Sequence, residues 1–165
     1  MRIDSNTLTT LRFDSPMGGM RLAATAHGLA GAWFEGQRHW PDTDGWRDAP
    51  GDPVLQAAQA QLQAYLAGAR SHFDLPLDLR HGTAFQQTVW RALLAIPRGD
   101  THSYGQLGQA IGRPLAARAV GAAVGRNPLS VIVPCHRVVG SDGSLTGYAG
   151  GLPRKQALLA LEGCG

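Results

Sequence analysis

Polar and apolar residues alternate around Leu11 and Phe13, then around Met20, Leu22 and Ala24, and again through Leu29, Trp33 and Phe34. A period of two puts these side chains on one face of extended segments. The turn formers Asp14-Ser15-Pro16-Met17-Gly18-Gly19 and His27-Gly28 separate them, so an antiparallel meander is predicted. The spacing lengthens to three and four at Val54, Ala58, Leu62, Tyr65 and Leu66, a helical stripe running to about Gly68. Asp52 is placed to cap that helix and Pro53 to begin it, while His39 to Pro53 has no period and reads as a loop. Phe73, Leu75 and Leu77 alternate once more and predict one further strand, after which Leu79 to Gly82 reads as a linker.

Helical spacing dominates beyond the linker. Thr83-x-x-Gln86 is a capping box ahead of Phe85, Val89, Trp90, Leu93 and Leu94, and Pro97 with Gly99 stops that helix. Ser103-x-x-Gln106 is a second capping box, opening a short helix that Gly112 ends; Pro114 is set to begin the next, which runs to about Gly125. Two short helices on a Gly-Arg-Pro turn make a helix-turn-helix. The second is small-sided, with Ala116, Ala117, Ala119, Gly121, Ala122 and Ala123 around one long side chain, Arg118. That pattern suits close packing on a neighbouring helix and a helix laid against DNA equally well. Val131-Ile132-Val133 predicts a buried strand, Ser141-Asp142-Gly143-Ser144 a hairpin turn and hence a wing, and Pro153 a last helix bearing Leu158, Leu159 and Leu161. The fold class expected is α/β (α+β): an N-terminal antiparallel-sheet α/β domain over residues 1–80 and a C-terminal winged helix-turn-helix domain over residues 81–165.

Composition narrows the function. Gly and Pro together supply 32 of the 165 residues, short of the roughly 25 to 30% that marks low-complexity disorder. No run of about 18 apolar residues occurs, and the N-terminus lacks the basic and apolar regions of a secretory signal, so a cytoplasmic protein with no membrane attachment is expected. Cys135 and Cys164 are too few for a disulfide framework, and neither has zinc-ligand spacing; reduced thiols, no metal and no cofactor are expected. Residues 1–80 hold seven arginines against nine acids, whereas residues 81–165 hold eight basic residues against three acids. A basic C-terminal half fits a polyanionic partner such as nucleic acid, with solubility alone as the alternative.

Cys135 is followed directly by His136. A thiol needs a base or a positive charge nearby to become a nucleophile. Neighbours in an extended segment point to opposite sides, so a bridging water is one relay between the two. A third group must orient the imidazole, and Glu162 is the only acid in the last twenty residues. By itself the Cys-His pair is read more readily as a small buried apolar residue beside a surface histidine. His39, His72, His81 and His102 are scattered and read as surface or turn residues, and Cys164, one residue from the end, as frayed and incidental.

Asn127-Pro128, Pro134-Cys135-His136-Arg137-Val138, Gly147-Tyr148 and Gly151-Leu152-x-x-Lys155-x-x-Leu158-Leu159-x-x-Glu162-Gly163 together resemble the methylated-DNA–protein-cysteine methyltransferase family, the guanine O6-alkyl DNA repair proteins. The resemblance extends through Phe85-Gln86-x-x-Val89-Trp90, Ser103-Tyr104 and Ala116 to Gly121, and through Ser15-Pro16-x-Gly18 and Trp33-Phe34-x-Gly36-Gln37. It implies that Cys135 accepts the alkyl group, that His136 deprotonates it through a water, that Glu162 holds His136 and that Asn127 fixes the turn around the site. It further implies a minor-groove helix whose Arg118 fills the space of a flipped nucleotide, with Tyr104, Ser103, Ala117 and Gly121 against the DNA. Tyr104 is implied to push the target phosphate and assist proton transfer. Pro134, Val138, Tyr148, Ala149, Gly150 and Val124 are implied to line the base and alkyl pocket. The implied partner is double-stranded DNA containing O6-alkylguanine, met by a monomer.

Departures from the family pattern bear on detail. Ser130 stands where some relatives have a second proline, and Val124 where others have a larger methionine, which predicts a roomier pocket. The zinc ligands of some N-terminal domains are not recognisable in this sequence. Three rival readings stay open: a damage sensor without chemistry, against which Cys135 argues; a winged-helix regulator, which leaves Cys135, His136, Glu162 and Asn127 unexplained; and a thiol hydrolase, which leaves the helix of Arg118 unexplained.

Overall fold

The alternation in the first part of the chain becomes three antiparallel strands in the computed structural model, which describes residues 8–164. These are β1 (Thr9–Ser15), β2 (Gly18–Thr25) and β3 (Gly28–Phe34). Leu11 faces Leu22, Phe13 faces Met20, and Met20 faces Phe34 across the ladder, so these residues form one buried face, whereas Trp33 lies opposite Arg21 and packs with Leu8, Ala23 and Ala30 on the other. The chain divides between His81 and Gly82 into two compact units.

In the first unit, α1 (Pro53–Leu66) starts where its cap predicts: Asp52 Oδ1 accepts from the amides of Val54 and Leu55 at 2.9 and 3.3 Å. Asp52 Oδ2 accepts from the Thr9 hydroxyl at 3.0 Å, which pins the helix start to β1. The buried stripe of α1 is Leu55, Ala58, Leu62, Tyr65 and Leu66; Val54 is only half-buried, so Leu55 takes the place read for it. The loop before α1 contains β4 (Arg47–Asp48), which pairs parallel with Thr9 and Thr10 and has no periodic signal of its own. The strand expected at Phe73, Leu75 and Leu77 does not form beyond a single bridge between Leu77 and Leu29. Gln61 explains why: its side chain binds both the amide and the carbonyl of Asp74, and the Phe73 ring stacks on Tyr65 at 4.7 Å, so the segment follows the helix instead of a strand. His81 is less superficial than read, being half-buried with Nε2 3.7 Å from the buried Asp78 carboxylate.

The second unit holds α2 (Ala84–Leu94), α3 (Tyr104–Ala110), α4 (Ala117–Gly125) and α5 (Leu152–Leu161), with β5 (His102–Ser103) pairing parallel with β6 (Val138–Val139). Both capping boxes close as their spacing predicts. α2 packs on α4 through Trp90, fully buried, whose indole N–H donates to the Ala123 carbonyl at 2.9 Å. Pro114 does not begin α4. The amide of Ala116 closes onto the Arg113 carbonyl at 3.1 Å, making Pro114 the second residue of a β-turn, the position its fixed φ favours there, and α4 starts three residues later with no side-chain cap. The expected strand at Val131–Val133 is a buried turn, and the Gly140–Ser144 turn forms without a second strand behind it. Among the described residues no helix is long and apolar enough to cross a membrane.

Trp90→Phe keeps an aromatic ring in the α2–α4 interface but removes its donor and some volume. It is expected to lower the unfolding free energy by about 1–3 kcal/mol in urea melts. An unchanged midpoint would mean that this bond does not hold α4 in place.

Candidate active site

Asn127 organises the segment that presents Cys135. Its side-chain amide donates to the Val133 carbonyl at 2.8 Å and to that of Leu129 at 3.4 Å, while its Oδ1 accepts from the Leu129 amide at 2.9 Å. One side chain thus satisfies a buried loop whose prolines, Pro128 and Pro134, have no amide hydrogen to give. Within the loop Val131 is held at φ 73°, a conformation a β-branched residue adopts at a cost on the order of 1–3 kcal/mol and one that clusters at functional sites.

Cys135, His136 and Arg137 follow in a single 3₁₀ turn rather than the extended strand end read from sequence. All three are buried, His136 completely. His136 Nε2 lies 2.9 Å from Glu162 Oε2. Arg137 donates from Nε to Glu162 Oε1 and from Nη2 to Oε2, both at 2.9 Å, and from Nη1 to the Ile96 carbonyl at 2.7 Å. Glu162 is placed by its backbone: it is the last half-helical residue of α5, followed by Gly163 at φ 83°. Gly163 donates to the Ala160 carbonyl and Cys164 to that of Leu159, the paired bonds of a glycine-terminated helix end. Cys164 is therefore tied into that end by its amide and not frayed.

An ionised carboxylate can only accept, so the Nε2 facing Glu162 carries the hydrogen and a neutral His136 keeps its lone pair on Nδ1. Burial is the larger influence on the imidazole and holds its pKa below the ordinary value, against the raising pull of Glu162. Nδ1 is itself buried and has no protein partner. Burial pushes the Cys135 thiol up, and the hydrogen bond from Asn127 and the charge of Lys155 draw it back. Lys155 is completely buried; its Nζ donates to the Val138 carbonyl at 2.6 Å, and burial lowers its pKa while Cys135 raises it. Burial likewise pushes the Tyr148 phenol well above its usual range.

The structure therefore gathers Cys135, His136, Glu162, Asn127 and Tyr148, with Pro134, Val138, Val124 and Gly150 buried and Ala149 half-buried in the same unit. Tyr104 opens α3 behind its N-cap Ser103, and its hydroxyl meets that of Thr146 at 2.7 Å. Ala117 and Arg118 stand exposed in the first turn of α4, with Gly121 half-buried, and Arg118 makes no ion pair among the described residues. Sequence reasoning assigned no role to Arg137 or Lys155. The signal for Lys155 was present, because residues 155, 158, 159 and 162 share one helical face and two of them are leucines.

A profile described as "6-O-methylguanine DNA methyltransferase, DNA binding domain" matches residues 84–164, and one for the "ribonuclease-like domain" of the same family matches residues 9–79. The chain is 52% identical over 149 residues to the methylated-DNA--protein-cysteine methyltransferase of Mycobacterium tuberculosis strain H37Rv, covering 90% of this chain and 88% of that protein. It is 46% identical over 152 residues to the protein of the same name from Methanosarcina acetivorans, covering 92% and 96%. The crystal structure of Mycobacterium tuberculosis OGT in complex with DNA superposes with a TM-score of 0.87 at 49% identity, covering 94% of this chain and 93% of that one.

One pH limit follows from the buried groups. Because the folded state holds His136 below its ordinary pKa, the unfolded chain takes up a proton first as pH falls below about 6.5, and stability is lost there at up to about 1.4 kcal/mol per pH unit. Cys135, held above its ordinary value, favours unfolding above about pH 8.5, where the unfolded thiol ionises first, while Lys155, held below its ordinary value, pulls the other way over the same range. Urea melts are expected to show stability falling as pH drops from about 7 to about 5, with the thiol and the ammonium offsetting each other on the alkaline side. A flat acid limb would exclude a neutral, buried His136. Glu162→Gln leaves the Arg137 guanidinium buried without its counter-charge and is expected to cost about 3–5 kcal/mol in the same assay.

Proposed function

The chain belongs to the 6-O-methylguanine DNA methyltransferase family, and from that premise we propose that it repairs duplex DNA by moving a methyl or other alkyl group from guanine O6 to Cys135, once per molecule. The observation that carries this reading is the buried imidazole of His136, its Nε2 fixed on Glu162 and its Nδ1 left as a lone pair beside the Cys135 turn. Through a bridging water Nδ1 takes the thiol proton. The thiolate attacks the alkyl carbon, the C–S bond forms as the C–O6 bond breaks, and the electron pair leaves with guanine. Overall, the proton the thiol loses is the one the base gains.

The product is a thioether. It has no carbonyl for water to attack, so the protein stays alkylated and the reaction is stoichiometric. An alkyl group on O6 lies in the paired stack, out of reach of a buried thiol, so the nucleotide must be extruded; this costs a few kcal/mol, least where pairing is already damaged. In this reading the exposed turn of α4, with Ala117 and Arg118 and the small side chains after it, lies in the minor groove, and Arg118 fills the vacated space. Tyr104, beside Ser103 and Gly121, meets the target nucleotide and assists proton delivery. Pro134, Val138, Tyr148, Ala149, Gly150 and Val124 line the pocket, and Asn127 holds the turn that shapes it. Residues 81–165 would carry both DNA binding and alkyl acceptance, with residues 1–80 as a separate α/β domain, in a monomer acting in the cytoplasm without cofactor or metal.

Intact-mass spectrometry after incubation with a duplex bearing one O6-methylguanine tests this directly. A gain of one CH2, mapped to Cys135, saturating at one per molecule and abolished in Cys135→Ser, is the expected outcome. Preferential binding of the damaged duplex with no mass gain would make the protein a sensor. Absence of both effects would sink the reading.

A further inference from the structure

Thr146 lies in the irregular segment between the Gly140–Ser144 turn and α5, and no step of the proposed reaction uses it. Both of its polar ends are nevertheless engaged. Its hydroxyl is 2.7 Å from that of Tyr104. Its carbonyl accepts from Lys155 Nζ at 3.3 Å, the same buried ammonium that binds the Val138 carbonyl at 2.6 Å. The Tyr104 ring in turn lies over Gly121 of α4, where an added Cβ would stand 3.7 Å from it. One threonine therefore ties both helices of the helix-turn-helix to the segment that runs into Tyr148, and Lys155 fixes the backbone from which its hydroxyl projects.

We infer that Thr146 is a positioning residue for alkyl transfer, its hydroxyl donating to Tyr104 so that the phenol proton is left to point at the extruded nucleotide. The inference rests on the role proposed for Tyr104 above. A phenol has one proton to give and lone pairs to receive. If Tyr104 spends its proton on Thr146 it meets the nucleotide only as an acceptor, which serves neither a phosphate nor the departing base. If Thr146 donates, Tyr104 accepts and its own O–H is free, and a hydroxyl that accepts a hydrogen bond donates a stronger one.

Single-turnover methyl transfer from an O6-methylguanine duplex separates the possibilities, using the full chain and the variants Thr146→Val, Thr146→Ser, Tyr104→Phe and the double variant Thr146→Val/Tyr104→Phe. Thr146→Val keeps the shape and removes the donor, and is expected to slow transfer by about 5- to 10-fold, the worth of one neutral hydrogen bond. Thr146→Ser restores the hydroxyl and is expected to restore most of the rate. In the Tyr104→Phe background, Thr146→Val is expected to cost nothing further, because the acceptor is already gone; a merely structural role would slow both backgrounds alike. An unchanged rate in Thr146→Val, or equal losses in the two backgrounds, overturns the inference while wild-type transfer stands. Wild-type protein that takes up no methyl group overturns the proposed function, and this inference with it.

Discussion

The Glu162 carboxylate, sealed from water between His136 and Arg137, is the interaction on which the site depends. A carboxylate in a dry interior is stable only if it is paired and its lone pairs are filled, and Arg137 does both with two parallel donors at 2.9 Å. That pairing also sets the state of His136. An unneutralised glutamate at 2.9 Å would draw the imidazole toward its charged form, in which Nδ1 is a donor and useless as a base. With the guanidinium present the positive charge is already supplied, burial prevails, and His136 stays neutral with its lone pair on the far side.

α5 carries this arrangement along its length. Lys155 and Glu162 are seven residues apart, two turns or roughly 10 Å along one face, with Leu158 and Leu159 between them, buried and nearly so. The lysine end grips the carbonyl of Val138 and the glutamate end grips His136 and Arg137. The 3₁₀ turn that bears the thiol is thereby held from both sides by one rigid element. The glycine-terminated end of the helix matters for the same reason: Gly163 lets the chain reverse directly after Glu162, and the amides of Gly163 and Cys164 close the last carbonyls. A helix that frayed there would leave its glutamate mobile.

Much of this was legible in the sequence because it depends on local chemistry. Both capping boxes, the Asp52 cap and the alternation of β1 to β3 report short-range geometry, and the structure follows them. The segments that were misread are those where a distant partner prevails. Val131-Ile132-Val133 is as strand-like as any run in the chain, yet Asn127 binds the carbonyl of Leu129 ahead of it and that of Val133 at its end and folds it into a turn. Phe73 to Leu77 alternates correctly but is claimed by Gln61 and Tyr65 from the helix. At the site, Cys135, His136 and Glu162 were readable as a set, whereas Arg137 was not. Nothing in a single basic residue beside a histidine reveals that its charge is cancelled 25 positions later.

The raised pKa of Cys135 looks at first like a defect in the nucleophile we propose, since only a thiolate attacks. For a protein consumed by its one reaction it is the better arrangement. A thiol kept ionised at neutral pH would be exposed to every passing electrophile and oxidant, and each such event would remove a molecule from use. A buried thiol, protonated until its base acts, is spared. Part of the lost thiolate fraction is returned as nucleophilicity, which rises with pKa by about 0.4–0.5 of a log unit per unit; a thiolate formed at Cys135 is intrinsically stronger than one stabilised by a permanent positive charge at its side. Lys155 accordingly spends its ammonium on the carbonyls of Val138 and Thr146. Its charge tempers the thiol without overcoming burial, and in the reaction we propose activation falls to His136, a group that acts only over the short distance of a proton relay.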